Sequence, residues 1–249
     1  MSRKSSPAIS TGSLRERAYS YIQRGVACGE LLPDTAISEV AISKHLKMSR
    51  TPVREAIGHL VAEGLLEQMP NRGTVVVRLK RQDVIELYEL REALEVYAAR
   101  KAAHMTLRAA DLERWEQFSN EILSLRDELR RLTQTTLSRE QMRKFIAADL
   151  SFHNMLMHMS VNARILKVLN DTRLLIRIFG MEPPGYDEAK LKQIHDQHAA
   201  IIAAVTSRDS ERAAQLLTRH IRTSLDERLQ AYDIRERELS FQKSLPAFI

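Results

Sequence analysis

Apolar residues recur along this chain at two rhythms, and the change between them marks two regions. Over residues 37–78 the pattern reads as helix, sharp turn, second helix and β-hairpin. The first helix has Ile37, Val40, Ala41 and Leu46 as its apolar positions, and Lys47-Met48-Ser49 supplies the turn. The second opens with Arg50-Thr51-Pro52-Val53-Arg54 and is expected to bury Val53, Ile57, Leu60 and Val61. Pro52 fits a first helical turn, where its missing N–H costs no intrahelical bond. Residues 65–69 and 74–78 are strand-like runs flanking Pro70-Asn71-Arg72-Gly73, a hairpin with glycine at its tip.

From residue 74 to residue 179 there is neither glycine nor proline, which disfavours a sheet with tight turns and favours long helices. Three- and four-residue apolar steps predict helices near 82–103, 108–133, 139–159, 163–179, 187–207 and 209–231. The clearest stripe is Leu112, Trp115, Phe118, Ile122, Leu125, Leu129 and Leu132. Residues 181–185, with Pro183-Pro184-Gly185, form the one conspicuous loop. The predicted fold is mostly α: an N-terminal winged helix-turn-helix, then an all-α antiparallel helical bundle. The expected boundaries are a disordered basic arm over 1–12, the winged helix over 13–78, and a linker over 79–82. The helical domain then spans 83–231, and 232–249 reads as a frayed helix end and C-terminal tail.

A helix-turn-helix with a wing is built to lay its second helix in the major groove of double-stranded DNA. Arg50 and Arg54 are four residues apart, hence on one helix face, with Thr51 beside them at the N-terminus. Guanidinium forks bond a guanine edge or hold phosphates, and hydroxyls add phosphate contacts. His59 lies further along, and Arg72 and Gly73 sit at the wing tip. Charge agrees with this. Residues 1–78 hold eleven basic and seven acidic residues, a net of +4, against +2 for the longer remainder.

This region resembles the GntR superfamily of bacterial transcription regulators. The resemblance rests on Gly29-Glu30-Leu31, the run Ser49-Arg50-Thr51-Pro52-Val53-Arg54-Glu55-Ala56-Ile57, Leu60, Glu63-Gly64-Leu65-Leu66, and Asn71-Arg72-Gly73-Thr74-Val75-Val76. It implies that Arg50, Thr51, Arg54 and the wing tip contact DNA. Two positions depart from the family pattern. Pro33-Asp34 replaces a Pro-Gly turn, and Val40 stands where some members carry a further DNA-binding arginine.

Composition narrows the setting. The single cysteine, Cys28, excludes an internal disulfide and suits a reducing cytoplasm. No apolar run approaches the ~18 residues of a membrane span. Residues 1–12 are Ser-rich and basic and lack the apolar stretch of a signal peptide.

Polar residues interrupt the apolar stripes of the second region at chosen places. Over 139–159 the stripe runs Met142, Phe145, Ile146, Asp149, Phe152, His153, Leu156; over 187–207 it runs Leu191, Ile194, His198, Ile201, Val205. Over 209–231 it runs Ala213, Leu216, Leu217, His220. Taken singly, each inward histidine is explained as a hydrogen-bonded core residue, and Asp149 with His153 as a buried pair. Their joint occurrence on three core-facing stripes favours a divalent metal held by Asp149, His153, His198 and His220, because all four are costly to bury unpaired. His195 is the rival ligand, or lines the cavity. Arg91 falls on the first bundle helix's stripe with Glu95 four residues later, either as an intrahelical ion pair or interdomain brace, or as a clamp for a carboxylate effector. Asn170, Arg173 and Arg177 are further candidates.

The second region also resembles the FadR-type, all-helical FCD ligand-binding domain, through Asp149-x-x-Phe152-His153, Gln197-His198-x-x-Ile201, Asp209, Ala213 and His220. In metal-binding members the equivalents of Asp149, His153, His198 and His220 coordinate the ion. One aspartate and three imidazoles suit zinc, nickel, manganese or iron. The chain thus reads as a cytoplasmic, homodimeric, ligand-responsive regulator, most simply a repressor, that binds a palindromic operator and senses a small organic acid beside a metal. The alternatives are a metal-dependent enzyme using the Asp/His cluster, for which no H-E-x-x-H motif supplies a base, and a direct metal sensor.

Overall fold

The computed structural model describes residues 13–27, 30–168, 172 and 185–244, with one unit closing at Leu79 and a second opening at Lys80. The first contains α1 (Leu14–Ala27), α2 (Glu39–Leu46), α3 (Arg50–Ala62), β1 (Leu66–Met69) and β2 (Gly73–Val76). Ser38 caps α2 by accepting from the Ala41 N–H at 3.2 Å, and Lys47, left-handed at φ 53°, ends it. Only three residues thus separate α2 from α3. The hairpin pairs Leu66 with Val76 and Met69 with Gly73, and its turn needs positive φ at Asn71 (63°) and Gly73 (72°).

Residues 34–37 add an edge to this hairpin that the motif pattern does not announce. The Asp34 N–H reaches Val76 O at 2.9 Å, the Ile37 N–H reaches Thr74 O at 2.8 Å, and Ala36 bridges Val75. Asp34 is itself left-handed (φ 67°), where a glycine would be strain-free, and its carboxylate accepts from Arg78 Nε at 2.6 Å. Ala18, Ile22 and Val26 of α1 pack on Val53, Ala56, Ile57 and Leu60 of α3, closed by Leu65, Leu66, Val75 and Val76. One expectation is corrected here. Val40 is 57% exposed and Ala41 faces solvent, while Ile42 enters the core. Four apolar residues at 37 and 40–42 leave the helical phase undetermined by period alone, and a helix this short buries one narrow face. Val61 is half-buried.

The second unit consists of α4 (Arg81–Ala103), α5 (Ala109–Leu132), α6 (Arg139–Met159), a helical stretch at 163–168, α7 (Glu188–Thr206) and α8 (Ser210–Ser244). The expected linker over 79–82 is shorter than predicted, because Lys80 already caps α4. Ser138 and Gln141 form a capping box at α6, and Asp187 caps α7 by accepting from the Lys190 N–H at 2.8 Å. α4 lies along α8, and α5 packs on α6 and α7. One core cluster joins Ile122, Leu125 and Leu129 of α5 to Met142 and Phe145 of α6 and Leu191 and Ile194 of α7. The α5 stripe fades at its end, where Leu132 is 46% exposed. Gly185 is required, since its φ is +48° and a Cβ would lie 2.7 Å from Thr136 Cγ2.

The frayed helix end expected from 232 is continuous helix as far as Ser244. The reason is the absence of a breaker: no glycine or proline follows Gly185 until Pro246. Asn170, Arg173 and Arg177, most of the 181–185 loop, the 1–12 arm and Cys28 lie outside the described residues.

Candidate metal centre and candidate nucleic-acid interface

The four residues singled out on three stripes meet. One ligand atom from each of Asp149, His153, His198 and His220 lies within 4.8 Å of the others. Asp149 and His153 come from adjacent turns of α6, His198 from α7 and His220 from α8. The three imidazoles are buried, while Asp149 is 29% exposed. Asp149 Oδ1 is 3.7 Å from His153 Nε2 and 3.5 Å from His198 Nε2.

Two of the three rings are prepared for a ligand by what holds their other side. His153 Nδ1 lies 2.6 Å from Glu95 Oε2, and His220 Nδ1 lies 2.7 Å from Gln197 Oε1. Those oxygens only accept, so both neutral rings carry the proton on Nδ1 and a lone pair on Nε2. The two Nε2 atoms face one another at 3.2 Å. Two lone pairs at that distance repel unless a cation lies between them. Both nitrogens of His198 are buried with no hydrogen-bond partner, and its ring stacks on Phe152 at 3.6 Å and 1°. A buried imidazole with neither nitrogen satisfied carries a cost that a coordinated ion lowers by engaging one of the two. The donor set therefore fits one divalent ion, with zinc, nickel, manganese and iron all compatible.

Burial, reinforced by the neighbouring imidazoles, pushes the pKa of His198 and His220 well below the ordinary 6.5. The folded rings are neutral, as metal binding requires. Their folded pKa values lie below the unfolded ones, so their share of stability is present above about 6.5 and lost as pH falls through the folded values. The melting temperature of metal-stripped protein should fall as pH is lowered from about 7.5 to about 5.5. A constant Tm over that interval would show that the rings take up protons without resistance.

Arg91 is the other expected intrusion, and it is buried. Its Nε donates to Glu95 Oε1 at 2.7 Å and its Nη2 reaches His153 Nε2 at 3.0 Å. Burial lowers its pKa, but Glu95, Tyr88 and Asp149 more than reverse that. His195 is not in the four-residue group; its Nε2 lies 3.3 Å from Asn120 Oδ1 and its Nδ1 3.5 Å from Asp196. Sequence reasoning missed the tautomer-setting partners. Glu95 was visible only as a partner for Arg91, and Gln197 only as the neighbour of His198. Arg228 of α8 was missed entirely: burial lowers its pKa, and Tyr88, Tyr186 and Asp149 raise it above the ordinary value.

In the first unit, α3 presents Arg50, Thr51, Arg54 and His59 to solvent, and the hairpin tip exposes Arg72 and Gly73. The two arginine side chains are 58% and 66% exposed, and both are held by one carboxylate. Glu39 Oε1 accepts from Arg54 Nε, and Oε2 from Nη2 of both Arg54 and Arg50, all at 3.0 Å. These contacts hold the Glu39 pKa down, Arg54 first and Arg50 next.

A winged helix followed by a helical unit with a histidine-lined interior defines a class of two-part DNA-binding regulators. Family models place this chain within it. Residues 14–76 match the "Bacterial regulatory proteins, gntR family" model, and residues 86–223 match the FCD domain model. The chain belongs to the gntR family of bacterial regulatory proteins, in the group carrying an FCD domain, and is a transcription regulator. It is 31% identical over 198 residues to the Nta operon transcriptional regulator of Aminobacter aminovorans, covering 80% of this chain and 86% of that one. It is 27% identical over 216 residues to the probable D-xylose utilization operon transcriptional repressor of Paenarthrobacter nicotinovorans, covering 87% and 89%. Among solved structures it resembles E. coli McbR/YncC with a TM-score of 0.70 at 18% identity, covering 89% of this chain and all of that one, a likeness of fold. These relatives are regulators, not enzymes. Among the described residues no helix is long and apolar enough to cross a membrane.

Proposed function

We propose that this regulator is a homodimeric repressor whose helical domain holds one divalent metal at Asp149, His153, His198 and His220 and senses a small organic acid beside it. The observation that carries the reading is the set of Nε2 atoms turned to one point, with two Nδ1–H groups already engaged. Among the relatives, one is named a probable repressor of a D-xylose utilization operon. That name supports repression as the mode. A dimer follows from recognition, because one winged helix buries too little surface for tight specific binding, and two copies read a palindrome. Leu90 and Tyr97, two helical turns apart on α4, are 40% and 49% exposed and suit a subunit contact.

Arg91 connects metal and acid. Its Nη2 approaches the same His153 lone pair that an ion needs, while Glu95 holds its Nε. When that lone pair is given to a metal, Arg91 recovers an N–H for a carboxylate. Acid binding should therefore depend on metal loading. Ligand then shifts the protein between DNA-competent and incompetent states by binding one of them more tightly.

The test uses a duplex selected from randomised DNA by the full-length protein. Its dissociation constant is measured with metal-loaded and metal-stripped protein, each with and without acetate, succinate, citrate and related acids. The reading expects an acid to weaken DNA binding only when metal is present. A metal that changes affinity by itself, with no acid adding to it, would replace this reading with direct metal sensing.

A further inference from the structure

Glu39 places a carboxylate in the middle of the face expected to meet a polyanion, where it opposes binding by simple charge. It is the first residue of α2, fixed there by the Ser38 cap, and its side chain is 25% exposed. It reaches across to α3, accepting one N–H from Arg50 and two from Arg54. The Arg54 contact is side-on, through Nε and Nη2. A guanidinium has five N–H bonds, and a side-on partner leaves the end formed by Nη1 and the second Nη2 N–H open. That end is itself a two-pronged donor of the kind that matches O6 and N7 of guanine.

We propose that Glu39 is a positioning residue that sets sequence specificity: it occupies the side edge of Arg54 so that the guanidinium meets the base pair end-on, and it ties Arg50 to the same anchor. This rests on the reading that α3 enters a major groove. An unrestrained arginine on an exposed helix samples many rotamers and pairs with any phosphate. The bridge removes that freedom before DNA arrives, so less ordering is left for binding, and the ordered pose favours guanine. The carboxylate also subtracts one charge from the face, which lowers affinity for DNA of every sequence. Charge therefore weakens binding to all DNA alike, and only the positioning separates cognate from non-cognate DNA.

The test compares full-length wild type with Glu39→Gln, Glu39→Asp, Arg54→Ala and the Arg54→Ala/Glu39→Gln pair. Two duplexes serve as probes: the one selected by wild type, and a scrambled duplex of equal length at the same salt. Loss of the carboxylate in Glu39→Gln should tighten scrambled-duplex binding by a few-fold while leaving the selected duplex no tighter. The ratio of the two constants should fall about 5- to 10-fold, within the range of one bidentate base contact. Glu39→Asp should recover part of the ratio. With Arg54 already replaced, Glu39→Gln should tighten both duplexes alike and leave the ratio unchanged. Equal tightening in the wild-type background would reduce Glu39 to a charge. A ratio that still falls without Arg54 would mean that Glu39 sets specificity by a route other than the Arg54 pose, and either result overturns the proposal. If wild type selects no sequence at all, it is the groove-binding reading that fails.

Discussion

Protein carrying His198→Ala or His220→Ala should purify without metal, lose any response to acid, and still bind operator DNA. His198 and His220 each contribute a buried, neutral imidazole from a different helix, so removing either leaves at most three protein ligands. His198 also stacks on Phe152, which in turn lies 5.2 Å from Trp115, the single tryptophan of the chain. Nickel titration should therefore change tryptophan emission in wild type and leave it flat in the His198 variant. Chelation should lower the wild-type melting temperature, because bound metal offsets the cost of burying unsatisfied nitrogens. The winged helix keeps its affinity because its core, from Ala18 to Val76, shares no residue with the cluster. A variant that retains acid response would reduce these imidazoles to core packing.

The second large effect belongs to α3. Arg54→Ala should weaken binding to the selected duplex by about 5- to 100-fold, the range of a bidentate arginine–guanine contact, and should relax discrimination at one base position. Arg72→Ala at the wing tip should weaken all sequences more evenly, as loss of a backbone contact does. The fold should survive both changes, since the two side chains are exposed and Arg54 bonds only to Glu39 among the contacts described. An unchanged dissociation constant for Arg54→Ala at fixed salt would remove α3 from the interface.

Periodicity made the helices of the second unit legible because each buries one continuous stripe. The same stripes exposed the metal candidates, since a charged or imidazole group on an apolar face needs a partner. Pro52 and Gly73 did similar service for α3 and the hairpin. What sequence concealed was mostly tertiary. Glu39 finds partners eleven and fifteen residues away across a helix turn, and no spacing rule links those positions. Glu95 reads as an intrahelical partner of Arg91 at four residues, yet its second oxygen orients His153 on another helix. The 34–37 edge pairs through backbone groups, so its side chains carry no signal of it. Val40 was misplaced because adjacent apolar residues fit more than one helical phase.

The central claim is that Asp149, His153, His198 and His220 form a metal site. Elemental analysis of full-length protein purified without a histidine tag, after supplementation with zinc, nickel, manganese and iron, tests it directly. The account predicts about one divalent ion per chain in wild type and none in the His198 and His220 variants. Stoichiometry near zero in wild type, or an equal amount of metal in all three proteins, would contradict it.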